Sequence, residues 1–245
     1  MDEQTVEQSF PTIKELFKKS WGSFKANWLV LYGAFVVMIV VSAIFDALIK
    51  AGEGTSAGII LGIVSFLINL LLSVGAVRIF ISAAQGSDAK LEDLFTQYRY
   101  MLAFFVASLL FVIASTLGFI LLIVPGIIIS LMLGQFGYAI VDKNKGMIES
   151  LKYSAAITKG YRWKLFWLGA VSILMVLVSM IPLFLGLLIS VPVLSVLQGH
   201  VYITLRDIYE GKQVVGDAAS PVPPQQEDAQ EGSANELAQA IPAQQ

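Results

Sequence analysis

Two stretches of about forty residues carry no formal charge, Met101 to Val141 and Leu165 to Leu205. At about 1.5 Å per residue one straight helix of that length would be roughly 60 Å long, about twice the hydrocarbon thickness of a bilayer. Each stretch therefore predicts two spans joined by a tight turn. In the first, Pro125-Gly126 marks the reversal. Pro125 has no backbone N–H and disfavours helical geometry in the residue before it, and Gly126 accepts the angles a reversal needs. In the second, Pro182 and Gly186 fall near the middle, and Pro192 predicts a kink in the last helix. A third apolar region is cut only by the short polar run Lys50 to Ser56. The pattern predicts an all-α fold, a polytopic membrane bundle with six transmembrane helices over about 28–49, 57–82, 101–124, 127–141, 165–184 and 187–205.

A shorter segment with helical periodicity precedes each pair of spans. Ser9 is a candidate N-cap with Pro11 in the first turn, after which Ile13, Leu16, Phe17, Ser20 and Phe24 share one face and Lys14, Lys18 and Lys25 another. This suits a helix lying in the headgroup region, or equally a solvated charged face ahead of a span. Ser87 is placed to cap a short helix whose Leu91, Leu94, Phe95 and Tyr98 form a stripe. Ile148, Leu151 and Ala155 form a third, opposite Lys145, Glu149, Lys152 and Lys159, with Gly160 as the stop. The expected architecture is three hairpins, each preceded by an amphipathic helix. A weak internal repeat agrees with it: Phe17-Lys18-Lys19-Ser20 followed by Trp28 echoes Leu151-Lys152-Tyr153-Ser154 followed by Trp163, and Gly75 to Gly86 echoes Gly199 to Gly211. Gly54, Gly58 and Gly62, at four-residue spacing, are candidate helix-packing positions, within the bundle or between two copies.

Composition sharpens this picture. Of 245 residues 56% are hydrophobic and only 14% charged, with a mean hydropathy of +0.75, which is too apolar for an ordinary soluble domain. Cysteine is absent, which excludes a disulfide framework, a thiolate nucleophile and a Cys-based metal site. Residues 1–9 read as a polar leader, 10–210 as the six-span domain, and 211–245, rich in Gln, Ala, Pro and Glu, as a disordered tail. The first apolar block lacks the pattern of a cleaved signal and is expected to be a retained span.

Charge sets the expected orientation. Of the 16 Lys and Arg residues only Lys50 falls in a loop on the far side. Positive charge near spans marks the cytoplasmic side, so both termini and all three amphipathic segments are expected there. Candidate chemistry is sparse. No His-Glu-x-x-His arrangement, phosphate-cradling glycine loop or nucleophile elbow is present, so no catalytic, cofactor-binding or metal-binding residue is assigned. Asp and Glu are missing from the middle of every predicted span, which argues against a proton relay of the usual kind. What remains is a polar layer near the cytoplasmic helix ends, Arg78, Gln135, Tyr138, Asp142, His200, Tyr202 and Arg206. Arg78 is expected either to pair with Asp142 or to snorkel toward water. Asn69 and Gln198 lie deeper and read as interhelical glue.

The runs Ile123-Val124-Pro125-Gly126-Ile127-Ile128, Val141-Asp142-Lys143 and Glu149-Ser150-Leu151-Lys152-Tyr153-Ser154 through Thr158-Lys159-Gly160 resemble the signature of YciC-like bacterial inner-membrane proteins. They are also similar to the membrane domain attached to some glycerophosphodiester phosphodiesterases. The resemblance is sharpest over about 121–171 and extends over about 14–209. It implies a bacterial inner-membrane location and brings no catalytic residues, and the chain has no counterpart of the phosphodiesterase catalytic domain.

Three functions are consistent with these features. The first is a non-catalytic scaffold or regulator that meets membrane lipid, especially anionic lipid, or a protein partner at the cytoplasmic leaflet. The second is a transporter or channel for a lipid or small solute, built on the proline-interrupted spans. The third is the membrane component of a lipid-headgroup enzyme system. Nothing in the sequence indicates a nucleic-acid partner.

Overall fold

The computed structural model describes residues 10–181 and 185–219, and every element in them is helical. The described residues up to Tyr209 form one compact unit, and a second begins at Glu210. The first long helix, α1, is Ile13–Ala51. Its N-cap is Thr12, whose Oγ1 accepts from the Glu15 amide while Glu15 Oε2 accepts from the Thr12 amide at 2.9 Å. This reciprocal pair satisfies two donors that a helix start leaves free. Ser9, the expected cap, lies outside the described residues with the rest of the leader. At 39 residues α1 would be about 58 Å long if straight. It is broken at Asn27, where φ is −116° and ψ 16°. The Asn27 side-chain Nδ2 donates to the Ser23 carbonyl at 3.2 Å, an insertion into the backbone ladder of the kind that bends helices.

Gly52 to Thr55 turns the chain into α2, Ser56–Gln85. The two helices are tied at mid-depth by Ser42 Oγ donating to Asn69 Oδ1 at 2.9 Å. Asn69 is therefore interhelical glue. The three expected packing glycines do not form one seam. Gly54 takes a left-handed φ of 78° in the turn, a Cβ on Gly58 would sit 2.4 Å from the Gly52 carbonyl oxygen, and Gly62 faces open space. Only Gly58 permits a close approach.

After Gly86, left-handed at φ 72°, comes a four-residue helix, α3, Asp93–Thr96. Ser87 does not cap it; Glu92 precedes it without a side-chain cap bond. Leu94 alone of the expected stripe is fully buried, and its backbone presses on Gly75 so closely that a Cβ there would lie 2.3 Å away. A 3₁₀ turn, Tyr98–Tyr100, leads into α4, Met101–Leu121.

The reversal into α5, Ile123–Leu133, falls at Leu122, which is extended at φ −166° and ψ 153°, and not at Pro125-Gly126. Pro125 sits in the first turn of α5, where backbone N–H groups lack intrahelical partners and a missing one costs little. Gly126 serves proximity and not turning. A Cβ on it would lie 2.4 Å from the Phe119 ring, and one on Gly118 would lie 2.9 Å from Gly126 Cα.

The fourth span continues after an interruption at Gly134 and Gln135 as α6, Phe136–Lys143. Then come α7, Met147–Ile157, and α8, Arg162–Met180, with Gly160 left-handed at φ 89° between them. The last helix, α9, is Leu185–Ala219 and contains Pro192. Pro182 and the tail beyond Ala219 lie outside the described residues. A Cβ on Gly186 would lie 2.6 Å from the Ser179 carbonyl oxygen, so the ends of α8 and α9 nearly touch there.

Among the described residues six helices are long and apolar enough to cross a membrane, the architecture of a multi-pass membrane protein. Their apolar side chains divide into two populations. Three buried clusters hold the bundle together, and α9 contributes Leu197, Val201 and Leu205 to one and Val193 and Val196 to another. The third joins α2, α4 and α6 through Val74, Ala107 and Ile140. Elsewhere large apolar residues such as Ile39, Ile60, Ile120 and Leu174 stand exposed. An apolar surface of that extent requires a hydrocarbon solvent.

The first amphipathic segment turns its apolar stripe inward. Leu16, Ser20 and Phe24 are buried, Leu16 among residues of α7, α8 and α9 and Phe24 against α2. Lipid cannot occupy that face, because protein already does. The third segment departs further from expectation. In α7, Ile148 is exposed, while Ser150, Ser154, Ile157 and the following Thr158 are buried.

Candidate functional site: the broken fourth span and the polar layer beside it

A helix interrupted at membrane depth frees backbone groups that nothing in the hydrocarbon can satisfy. Between α5 and α6 those groups include the Met132 carbonyl and the Gln135 N–H. Both are met by α7. Ser154 Oγ donates to the Met132 oxygen at 2.8 Å and accepts from the Gln135 N–H at 3.0 Å. Thr158 Oγ1 lies 3.2 Å from the same carbonyl, though its shorter bond, 2.8 Å, goes to Ser154 O in its own helix. Serine fits this role because one hydroxyl both donates and accepts. Gly134 and Gly137 flank the break. A Cβ at Gly137 would lie 2.9 Å from the Phe104 ring, so α6 is held close against α4.

The break resets the direction in which α6 presents its side chains. Asp142, in its last turn, reaches α9, where its Oδ2 accepts from Tyr202 OH at 2.9 Å and from Arg206 Nη1 at 3.0 Å. Tyr202 and Arg206 are four residues apart and so share one helix face. The ion pair is nearly enclosed, with side-chain exposure of 16% for Arg206 and 10% for Asp142. Arg206 also binds Asp207 Oδ1 through Nη2 at 2.8 Å. The Tyr138 and Tyr202 rings stack at 5.4 Å between centroids, extending this contact one turn back along α6. Arg206, not Arg78, is the partner of Asp142. Arg78 stands half-buried on α2, outside this pair.

His200 lies two residues before Tyr202 on α9 and so points to another face. Its Nε2 is 3.0 Å from Ser23 Oγ, next to the Asn27 break in α1. The expected polar layer therefore resolves into separate pieces: the Asp142–Tyr202–Arg206 group, the Ser23–His200 pair, and Gln135 at the break. Gln135 is 6% exposed, and its side-chain Oε1 has no hydrogen-bond partner. Apolar stripes do not reveal the hydroxyl face of α7. The available signal was Ser150, Ser154 and Thr158 at four-residue spacing, which places three hydroxyls on one face of a helix.

Outside the apolar surface lies a set of aromatic and cationic side chains. Lys25 Nζ sits 5.5 Å from the Trp21 ring centre, Arg99 packs over Tyr100 at 4.6 Å, and Lys164 lies 5.5 Å from Phe10 and 5.8 Å from Tyr161. All four tryptophans, Trp21, Trp28, Trp163 and Trp167, are exposed, near the starts of the first and fifth spans. Tryptophan concentrates at membrane–water boundaries because its ring is apolar and its N–H polar.

No protein-family model, curated protein or solved structure matches this chain.

Proposed function

We propose that this chain is a non-catalytic, multi-pass protein of the bacterial inner membrane, a YciC-like scaffold or regulator whose cytoplasmic face meets anionic lipid or a protein partner. In this reading the six spans form three hairpins, each entered through a segment at the cytoplasmic boundary, with both termini on that side. The observation that carries it is the placement of exposed tryptophans and ring-packed lysines near the starts of the first and fifth spans, Lys25 over Trp21 in one and Lys164 over Phe10 and Tyr161 in the other, with Arg99 and the exposed Tyr98 ahead of α4. Rings of that kind anchor a helix at the headgroup level, while the cations attract phosphate.

The absence of cysteine makes the orientation testable with single substitutions. Lys50→Cys should react with a membrane-impermeant maleimide in intact cells. Lys90→Cys and Lys145→Cys should react only after permeabilisation. Labelling of either from outside would overturn the reading. For the lipid part, joint Lys18→Gln, Lys19→Gln and Lys25→Gln changes should reduce co-purifying anionic lipid, and an unchanged lipid profile would remove it.

A second reading, a transporter or channel for a lipid or small solute, is favoured by one observation, the interruption of the fourth span. Broken helices line substrate sites in transporters. Its test is uptake or lipid scrambling by the reconstituted protein.

A further inference from the structure

A cavity of about 230 Å³ opens at the Gly134–Gln135 break, bounded by α5, α6, α8 and α9. Its polar lining comes from Ser130, Gln135, Tyr138 and Gln198. No lysine, arginine, aspartate or glutamate lines it among the described residues. Gln198 is exposed in the middle of the sixth apolar span, where water is scarce, and Gln135 carries the unpaired Oε1. A carboxamide at such depth is costly unless something bonds to it.

Two largely apolar clefts adjoin the cavity and share lining residues with it. One, of about 500 Å³, runs between α5 and α8 past Ile127, Ile173 and Leu177. The other, of about 430 Å³, runs between α8 and α9 past Leu177 and Val191, and shares Tyr138 and Gln198 with the polar cavity. Ile173, Leu177 and Val191 are exposed, so both clefts open on the lipid-facing surface.

The polarity follows a direction. On α8 the polar cavity is lined at Leu165, Leu168 and Gly169, near the Arg162 end, and the apolar clefts reach Leu177. At about 1.5 Å per residue that is some 12 Å further from the basic end. The other two walls agree. Gln135 is nearer the lysine-bearing end of its span than Ile127, and Gln198 is nearer that end of α9 than Val191. A polar, uncharged recess on the side of the basic helix ends, with apolar grooves running away from them, has the profile of a lipid molecule.

We infer that the broken fourth span, α8 and α9 form a binding site for a single uncharged lipid whose head carries a free hydroxyl, as in a diacylglycerol. The hydroxyl bonds to the exposed Gln198 carboxamide, and the acyl chains lie in the clefts beside α8. An anionic phosphate is disfavoured because no cation lines the recess to offset its burial. The site depends on the chain being embedded in a bilayer, but not on the cytoplasmic orientation or the anionic-lipid contacts of the proposed function.

The test uses the full chain in phosphatidylcholine nanodiscs with a diacylglycerol bearing a diazirine on one acyl chain. After illumination, peptides from α5 and α8 should be labelled about fivefold or more above the exposed α1 face around Ile39, a preference of about 1 kcal/mol. Unlabelled diacylglycerol should compete and phosphatidylglycerol should not. Gly169→Leu fills the recess from a position where a Cβ meets nothing within 4 Å. It should abolish the preference without lowering the Tm, and Gln198→Leu should weaken it. Equal labelling of α1 and α8, equal competition by phosphatidylglycerol, or full labelling of a folded Gly169→Leu protein would each overturn the site. Loss of the preference with the lysine-to-glutamine protein still unable to retain anionic lipid would leave the proposed function standing and remove only this site.

Discussion

The segment that precedes the first span and the one that precedes the fifth share a sequence echo and meet the bundle in different ways. In the first, Leu16, Ser20 and Phe24 bury an ordinary apolar stripe, and Ser20 Oγ merely returns to the Leu16 carbonyl in its own helix at 2.8 Å. In the second, Ser154 occupies the position of Ser20, is equally buried, and sends its bonds 22 and 19 residues away into the broken fourth span. The first segment runs on into its span through the Asn27 kink, whereas α7 is separated from α8 by a turn at Gly160. The same short pattern thus serves as packing in one place and as a polar clasp in the other. The difference lies in the neighbour, because α7 packs against a helix whose own hydrogen-bond ladder is interrupted.

The largest effect is expected where the interrupted span meets α9. Arg206→Met leaves Asp142 enclosed with only Tyr202 as donor, and removing one partner of a buried pair costs about 3–5 kcal/mol. The remaining tyrosine bond places the loss toward the lower end, read as a fall in Tm in detergent. Arg78→Met, which touches no part of that pair, should change the Tm far less.

Next comes the direct comparison of the two serines. Ser154→Ala strips partners from the Gln135 N–H and the Met132 carbonyl, and each buried group left unsatisfied costs about 1–3 kcal/mol. Thr158 lies close enough to turn toward Met132 and recover part of this. Ser20→Ala removes a bond to a carbonyl that its helix already satisfies and should cost under about 1 kcal/mol. Equal Tm shifts for the two would erase the distinction between packing and clasp.

A smaller effect concerns the helix starts. Thr12→Ala should cost about 1 kcal/mol and speed amide exchange over the first turn of α1. At α7 the corresponding N-cap is Gly146, which has no side chain to lose, and Glu149 supplies the bond instead.

The smallest effect is a pH dependence at that second start. The Lys145 ammonium and the Gly146 N–H both bond the Glu149 carboxylate and hold its pKa below the ordinary value. A carboxylate whose pKa is lower in the folded state binds fewer protons there than in the unfolded chain, so it stabilises the fold above its unfolded value. The contribution fades as pH drops below about 4.3 and is gone once pH falls through the folded value. Corrected for the intrinsic pH dependence of amide exchange, protection at Gly146 and Ser150 should fall over that acid range, and Glu149→Gln should make that protection indifferent to it.

Much of the architecture was legible in the chain. Uncharged runs too long for one crossing imposed two apolar helices apiece, because hydrocarbon thickness and helix rise are fixed. The exact reversal was not legible. Pro125-Gly126 looked like a turn, yet proline is equally at home in the first turn of a helix, and what Gly126 provides is room for Phe119. Nor was the pairing of Asp142 legible, since Arg78 and Arg206 are both cations near the same end of their spans and only packing selects between them.

By itself, then, the sequence determined the solvent this protein needs and the number of times it can cross it, since both follow from local hydropathy and length. Tertiary structure alone decided that the fourth span would be interrupted at Gln135, that α7 would face it with hydroxyls, and that Gln135, Tyr138 and Gln198 would line one recess. Those outcomes depend on which backbone groups are left unsatisfied and on which distant side chain lies within about 3 Å of them, and neither is a property of any single stretch of chain.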